Sequence, residues 1–199
     1  MKRHLVLTAV ATAAVALLLS SCSPGGESPG DAGDRPEIEV PAIEVPADLE
    51  TVFEELEDDD SAPPAALLAD HERFLLALDE AVVAGEPGPA LEFHTTADGY
   101  EWATSHVEFR QEEGYRYGGT IRHYKRYAVV FFSDDEKAFV HHCVDYAKAH
   151  AVDLGTGEER PFDAEPRQYT ATMKLNDDGV WQVDRFDGAS VAASSGYCS

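Results

Sequence analysis

The chain has 199 residues, with 38 Asp and Glu against 15 Lys and Arg, a formal net charge of −23 and a pI near 4.5. That balance excludes a nucleic-acid-binding role, because neutralising phosphates needs clustered Lys and Arg, and it opposes attraction to anionic lipid. The length leaves room for one domain plus appendages.

The first element is a targeting segment. Lys2, Arg3 and His4 form a basic start, and Leu5 to Leu19 is an unbroken run of Leu, Val, Ala and Thr. The run is too short to cross a bilayer comfortably and fits the apolar core of a secretory signal over residues 1–21. Leu19-Ser20-Ser21-Cys22 follows and resembles the lipobox of bacterial lipoproteins. The resemblance implies cleavage between Ser21 and Cys22 and a diacylglyceryl thioether on Cys22. A doubly acylated cysteine anchors stably, so the mature chain is expected on the outer face of a cytoplasmic membrane, with membrane lipid as its partner through Cys22.

Residues 22–60 read as a tether. Fourteen Asp and Glu stand against Arg35 alone between 27 and 60, and the Pro- and Gly-rich stretch has little to bury against the entropy of ordering. The tandem IEVPA repeat places Pro41 and Pro46 where they favour extended backbone, a stiffened spacer. Within the tether, Leu49, Val52, Phe53 and Leu56 follow i, i+3, i+4, i+7 behind Asp48. That spacing predicts a short helix over 48–57, too short to persist alone, which docks on the domain or stays transient.

The folded domain is expected over 61–199. Pro63 and Pro64 suit a helix start with Ser61 or Ala62 as cap. Leu67, Leu68, His71, Phe74, Leu75, Leu78 and Val82 form an apolar stripe at helical period, closed by Gly85 and Pro87. His71 on this stripe reads as a packed core histidine. Residues 89–94 predict another helical turn. From Tyr100 to Glu113, Trp102, His106 and Phe109 recur at helical spacing, with a stop at Gly114.

Then the period changes. Residues 120–132 and 138–154 predict long strands, separated by a turn at Ser133–Glu136 and closed by Gly155-Thr156-Gly157. In QYTATMKL, Tyr169, Ala171, Met173 and Leu175 share one face. Asn176-Asp177-Asp178-Gly179 is a hairpin turn, and VWQVDRF returns. Helices followed by an antiparallel meander predict an α+β domain with helices on one sheet face.

This order resembles the nuclear transport factor 2-like superfamily, a cone of N-terminal helices on a curved antiparallel sheet. More closely, the pattern of Cys143, Asp145, Thr156-Gly157, Gly179-x-Trp181-x-Val183 and Cys198 is similar to that of secreted actinobacterial lipoproteins without assigned function. The resemblance implies the fold more than an activity, because one fold hosts many functions.

The stretch FVHHCVDYAKAH, 139–150, admits two readings. As a strand it presents His141, Cys143 and Asp145 on one face and His142, Val144 and Tyr146 on the other. The first trio could ligate a metal, but structural zinc takes four ligands with paired cysteines. Outside the membrane thiols oxidise. With Cys22 lipidated, Cys143 and Cys198 remain as an even pair and are expected to form a disulfide. No metal and no cofactor is implied.

Active relatives of the fold place a general base in the cone with Tyr or Asp donors. The candidates of those types are His94, Tyr100, His106, Tyr124, Asp145 and Asp184, none in a motif that transfers a role. Trp102, His106, Tyr124 and Asp145 are the expected lining of any pocket. The expected function is a non-catalytic binding or assembly module of the cell envelope, its partner an envelope protein. The alternatives are a carrier of a small apolar ligand and an isomerase or dehydratase-type enzyme. A filled cone favours the first, an apolar pocket without ionisable groups the second, and a deep pocket with a buried carboxylate facing Tyr or His the third.

Overall fold

The computed structural model describes residues 38–54, 64–131, 136–162, 165–190 and 197–198. The expected signal segment, Cys22, the first part of the tether and its last part with Leu56, the Ser61 or Ala62 cap and the turn residues Ser133–Asp135 lie outside them.

The first described element corrects a sequence reading. Leu49–Phe53 is a strand (β1), not a helix. It lies parallel to the strand Tyr115–Phe131 (β2), with Leu49 opposite Gly119 and Phe53 opposite His123. Two helical turns cannot offset their nucleation cost, whereas a ladder along β2 satisfies the same backbone groups. The burial alternates with period two, Leu49 buried, Thr51 and Phe53 half-buried, Glu50 and Val52 exposed. The segment assigned to the tether thus supplies a strand of the sheet.

Helix α1 spans Ala65–Ala84 and α2 spans Pro89–Phe93. Helix α3 spans Ala97–Glu113, capped by Thr96, whose hydroxyl accepts from the Gly99 N–H at 3.3 Å. Gly85 and Gly114 adopt the left-handed conformation that ends α1 and α3. The remaining strands are β3 (Lys137–Asp153), β4 (Glu159–Pro161), β5 (Arg167–Leu175) and β6 (Trp181–Ser190).

The sheet order is β1-β2-β3-β5-β6, with β4 paired to β3 beside this path and every pairing antiparallel except β1 with β2. Register shifts interrupt β2–β3 between Thr120 and Arg122 and between Tyr124 and Tyr127. Lys125 there has a φ of 46°. Such bulges bend and twist a long strand, which curves the sheet around the helices.

The predicted stripe of α1 packs into this concavity. Leu67, Phe74, Leu75, Leu78 and Val82 join Val140, Ala171, Met173, Trp181, Val183 and Phe186 in one core cluster. The Asp70 carboxylate accepts from the Trp181 N–H at 2.9 Å, tying α1 to the start of β6. The architecture is α+β, helices on one face of a curved, mostly antiparallel sheet, as the resemblance to the nuclear transport factor 2-like superfamily implied.

Candidate functional site

The cone is not filled. A cavity of about 470 Å³ opens between α1, α3 and the inner face of the sheet, within the about 300–1,000 Å³ typical of small-molecule sites. Its apolar wall is Leu75, Leu78 and Val82 from α1, Trp102 and Phe109 from α3, Ile121 and Val144 from the sheet, and Phe186 from β6. The aromatic stripe read on α3 is this wall rather than the packing face. Gly99, Ala103, Val107 and Arg110 are the buried positions, while Trp102 stacks on His106 at 5.2 Å and meets Phe186 edge to face at 5.3 Å.

Strand alternation supplies the polar lining. Tyr117 and His123 on β2, His142 and Tyr146 on β3, and Arg167 and Tyr169 on β5 all line the cavity. Gly188 on β6 lets the Tyr169 ring lie close, since a Cβ there would stand 2.7 Å from Tyr169 Cε1. The Tyr146 and Tyr169 hydroxyls are 3.1 Å apart. Arg110 donates to the Tyr115 hydroxyl at 2.7 Å and the Tyr117 hydroxyl at 2.5 Å, its guanidinium 4.8 Å above the Tyr117 ring.

Asp79 completes the lining from α1, one position past Leu78. The Thr51 hydroxyl on β1 donates to its carboxylate at 3.3 Å. Burial pushes the Asp79 carboxyl up to about 7, against the opposing pull of the Thr51 hydrogen bond and of Arg110. The imidazoles move the other way. Burial, reinforced by Arg110, lowers His106 to about 4, and burial with Arg126 nearby lowers His123 to about 3. Burial, with His71 and His123 beside it, keeps His142 neutral. Burial also raises the Tyr117 and Tyr146 phenols above their ordinary range. At neutral pH the cavity therefore carries neutral imidazoles and phenols, two guanidiniums and one carboxyl close to its midpoint.

Of the expected lining, Trp102 and His106 are in place. Tyr124 and Asp145 are not, because strand alternation turns both to the outer face. Tyr124 packs there with Cys143 and Cys198 and donates to the Cys198 carbonyl at 2.5 Å, and Asp145 pairs with Arg122 at 3.2 Å. His94 is buried against Phe93, and Asp184 accepts from Thr96 and pairs with Lys174. Neither lines the cavity, nor does Tyr100. The stretch that offered metal or disulfide holds the disulfide, Cys143 to Cys198, with Cα atoms 5.6 Å apart. Reading for motifs missed Asp79, Arg110, Tyr117, His123, His142, Tyr146, Arg167 and Tyr169. The signal was there in period: Asp79 interrupts the apolar stripe between Leu75 and Val82, Arg110 stands one turn past His106 on α3, and the others stand on inward positions of strands.

No protein-family model matches the sequence, and no curated protein matches it. Among solved structures the chain is similar to a ketosteroid isomerase-like protein from Erwinia carotovora atroseptica, at 20% identity over 62% of this chain and 92% of that one, TM-score 0.42. It is similar to a protein named after scytalone dehydratase from Novosphingobium aromaticivorans, at 17% identity over 61% and 81%, TM-score 0.38. It is similar as well to the intermembrane space region of the chloroplast protein ARC6, at 11% identity over 61% and 95%, TM-score 0.36. At such identities and scores these likenesses say nothing of this chain's activity.

Proposed function

We propose that the chain is an exported lipoprotein, held to the outer face of the cytoplasmic membrane by lipid on Cys22, whose domain binds a small molecule in its cavity. The observation that carries the ligand-binding part is the open, aromatic-walled cavity of about 470 Å³. A domain serving only for assembly has no use for such a space, since interiors normally close to crystal-like density. The anchor rests on Leu19-Ser20-Ser21-Cys22 behind an apolar run, and the acidic tether gives standoff from the membrane.

Native mass spectrometry of the mature chain purified from its own membrane tests the reading. A population heavier by one small molecule is expected. A chain free of any adduct, which also takes up no apolar or amphipathic compound added to it, sinks it. For the anchor, Cys22→Ala should move the protein from the membrane fraction to the medium or leave it unprocessed. Unchanged partition and mobility would remove that part.

A second reading has its own observation. Asp79, at about 7, is populated both as acid and as base near neutral pH, which is what general acid–base chemistry requires. It faces a cavity lined by phenols and neutral imidazoles. An isomerase or dehydratase-type activity would be lost in Asp79→Asn while ligand binding persists.

A further inference from the structure

The cavity's charge does not follow the protein's. The chain as a whole carries −23, yet two guanidiniums line the cavity and Asp79 is the one carboxyl on its wall. Arg110 is 8% exposed; its hydrogen bonds go to phenols and its guanidinium lies over aromatic faces, with Asp79 the one carboxyl of the wall that it acts on. Among the described residues no carboxylate lies within ion-pair distance of Arg110 or of Arg167. For Arg110, the buried one of the two, a cation without an ion-pair partner is costly, and partners that are neutral phenols offset that cost only in part. Burial favours the protonated form of Asp79, which leaves the positive charge more nearly uncompensated.

Both arginines line the same cavity. The Tyr117 hydroxyl feels both guanidiniums, and Arg167 feels the Tyr169, Tyr146 and Tyr117 hydroxyls. The Tyr117 hydroxyl, bonded to Arg110, and the Tyr146 and Tyr169 hydroxyls, bonded to each other, face the same cavity as its apolar wall. Planar guanidinium forks and hydroxyl donors match a carboxylate, which accepts in two directions and gives nothing in return.

Resting on the reading of the cavity as a ligand site, we propose that its ligand is an amphipathic carboxylate: the anionic head sits between Arg110 and Arg167 against the tyrosine hydroxyls, and the apolar body lies along Leu75, Leu78, Trp102 and Phe186. The neutral form of such a molecule leaves the guanidiniums unanswered, and a cationic amphiphile is repelled by them.

Calorimetric titration of the mature chain with decanoate, 1-decanol and decylamine tests this. Decanoate is expected to bind about tenfold or more tightly than decanol, since a hydrogen bond to a charged group contributes about 1.5–3 kcal/mol, and decylamine to give no binding. Arg110→Met and Arg167→Gln should each weaken decanoate about tenfold and leave decanol unchanged. Arg167 is exposed, so its variant decides the question if loss of the Arg110 hydrogen bonds prevents folding. Equal binding of decanol and decanoate, or arginine variants that bind decanoate like the parent, overturns the carboxylate assignment and leaves the cavity reading standing. Silence from all three compounds overturns both.

Discussion

His71 on α1 and His142 on β3 meet edge to face, ring centroids 5.0 Å apart, and none of their four ring nitrogens has a hydrogen-bond partner among the described residues. His123 joins them, 5.0 Å from His142. Three imidazoles thus pack as aromatic rings beside the cavity. Burial lowers all three, with the Arg126 guanidinium, held by Glu72 at 2.7 Å, adding to the effect.

This cluster predicts acid sensitivity. The folded chain cannot take up protons at His71, His123 and His142, whereas the unfolded chain does so below the ordinary histidine value of about 6.5. Stability contributed by these groups is therefore full above that pH and is lost as pH falls below it, by about 1.4 kcal/mol per pH unit per imidazole. The melting temperature should drop steeply between pH 6.5 and 5, and His142→Phe, which keeps a ring against Tyr169, should flatten the slope. A profile that is level through this range, or equally steep in the variant, would show that the cluster titrates freely.

Asp79 predicts the opposite slope. Its carboxyl is raised from 3.8 to about 7 in the fold. Between those values the unfolded chain releases a proton that the folded chain keeps, so the stabilisation is full below about 4 and is lost as pH rises through 7. Asp79→Asn removes this term and can still accept from Thr51. It should raise the melting temperature at pH 8, with a gain that shrinks towards pH 4. A gain of the same size at both ends would mean that charge is not its cause.

The helices and the meander were legible because their signals are periodic and local: the stripe from Leu67 to Val82 with its glycine stop, the alternation in QYTATMKL, the Asn176–Gly179 turn. Strand β1 was not. Leu49, Val52, Phe53 and Leu56 fit a helical template, and only the edge of β2, more than sixty residues away, makes the strand the better solution. The site was half legible. Trp102 and His106 lie on the wall, but Tyr124 faces outward on a β2 whose inner and outer positions depend on bulges that composition does not mark. Asp145 shares the outer face of β3 with Cys143, opposite His142 and Tyr146, because alternation alone does not say which face is the inner one. Arg110 and Asp79 read as ordinary surface charges until the sheet closes over them.

The disulfide ties a chain end to the middle of a strand. Cys143 is fully buried and Cys198 nearly so, with Tyr124 packed against them. The Lys125 ammonium donates to the Tyr197 carbonyl at 2.8 Å. With a sequence separation of 55, the chain-entropy estimate gives about 4 kcal/mol for the crosslink, large against the about 5–15 kcal/mol of an ordinary domain. Reduction, or Cys143→Ala with Cys198→Ala, should lower the denaturant midpoint accordingly, and chelator should leave it unchanged. Intact mass with and without alkylation after reduction verifies the pairing. A midpoint that reduction does not move would show that the chain end contributes nothing.

Strand β1 belongs to the folded unit, and a chain beginning at Ser61 should be less stable than the full chain. Leu49 is 8% exposed and packs in a second core cluster with Ile121, Val144, Tyr146 and Ala149. Phe53 stacks on His123 at 4.9 Å beneath the Arg126 guanidinium, 5.3 Å from its ring centre. Burying a side chain of the Leu or Phe class contributes about 1.5–3 kcal/mol, so the truncation should cost several kcal/mol in all. It also removes the ladder along Gly119–His123 and the Thr51 hydroxyl from Asp79. Hydrogen exchange at residues 119–123 should therefore accelerate more than elsewhere in the sheet. Phe53→Ala in the full chain should reproduce part of the stability loss and little of the exchange, because the β1 backbone remains. If the chain from Ser61 melts with the full chain and its β2 amides stay protected, β1 is an ornament on a sheet that holds without it.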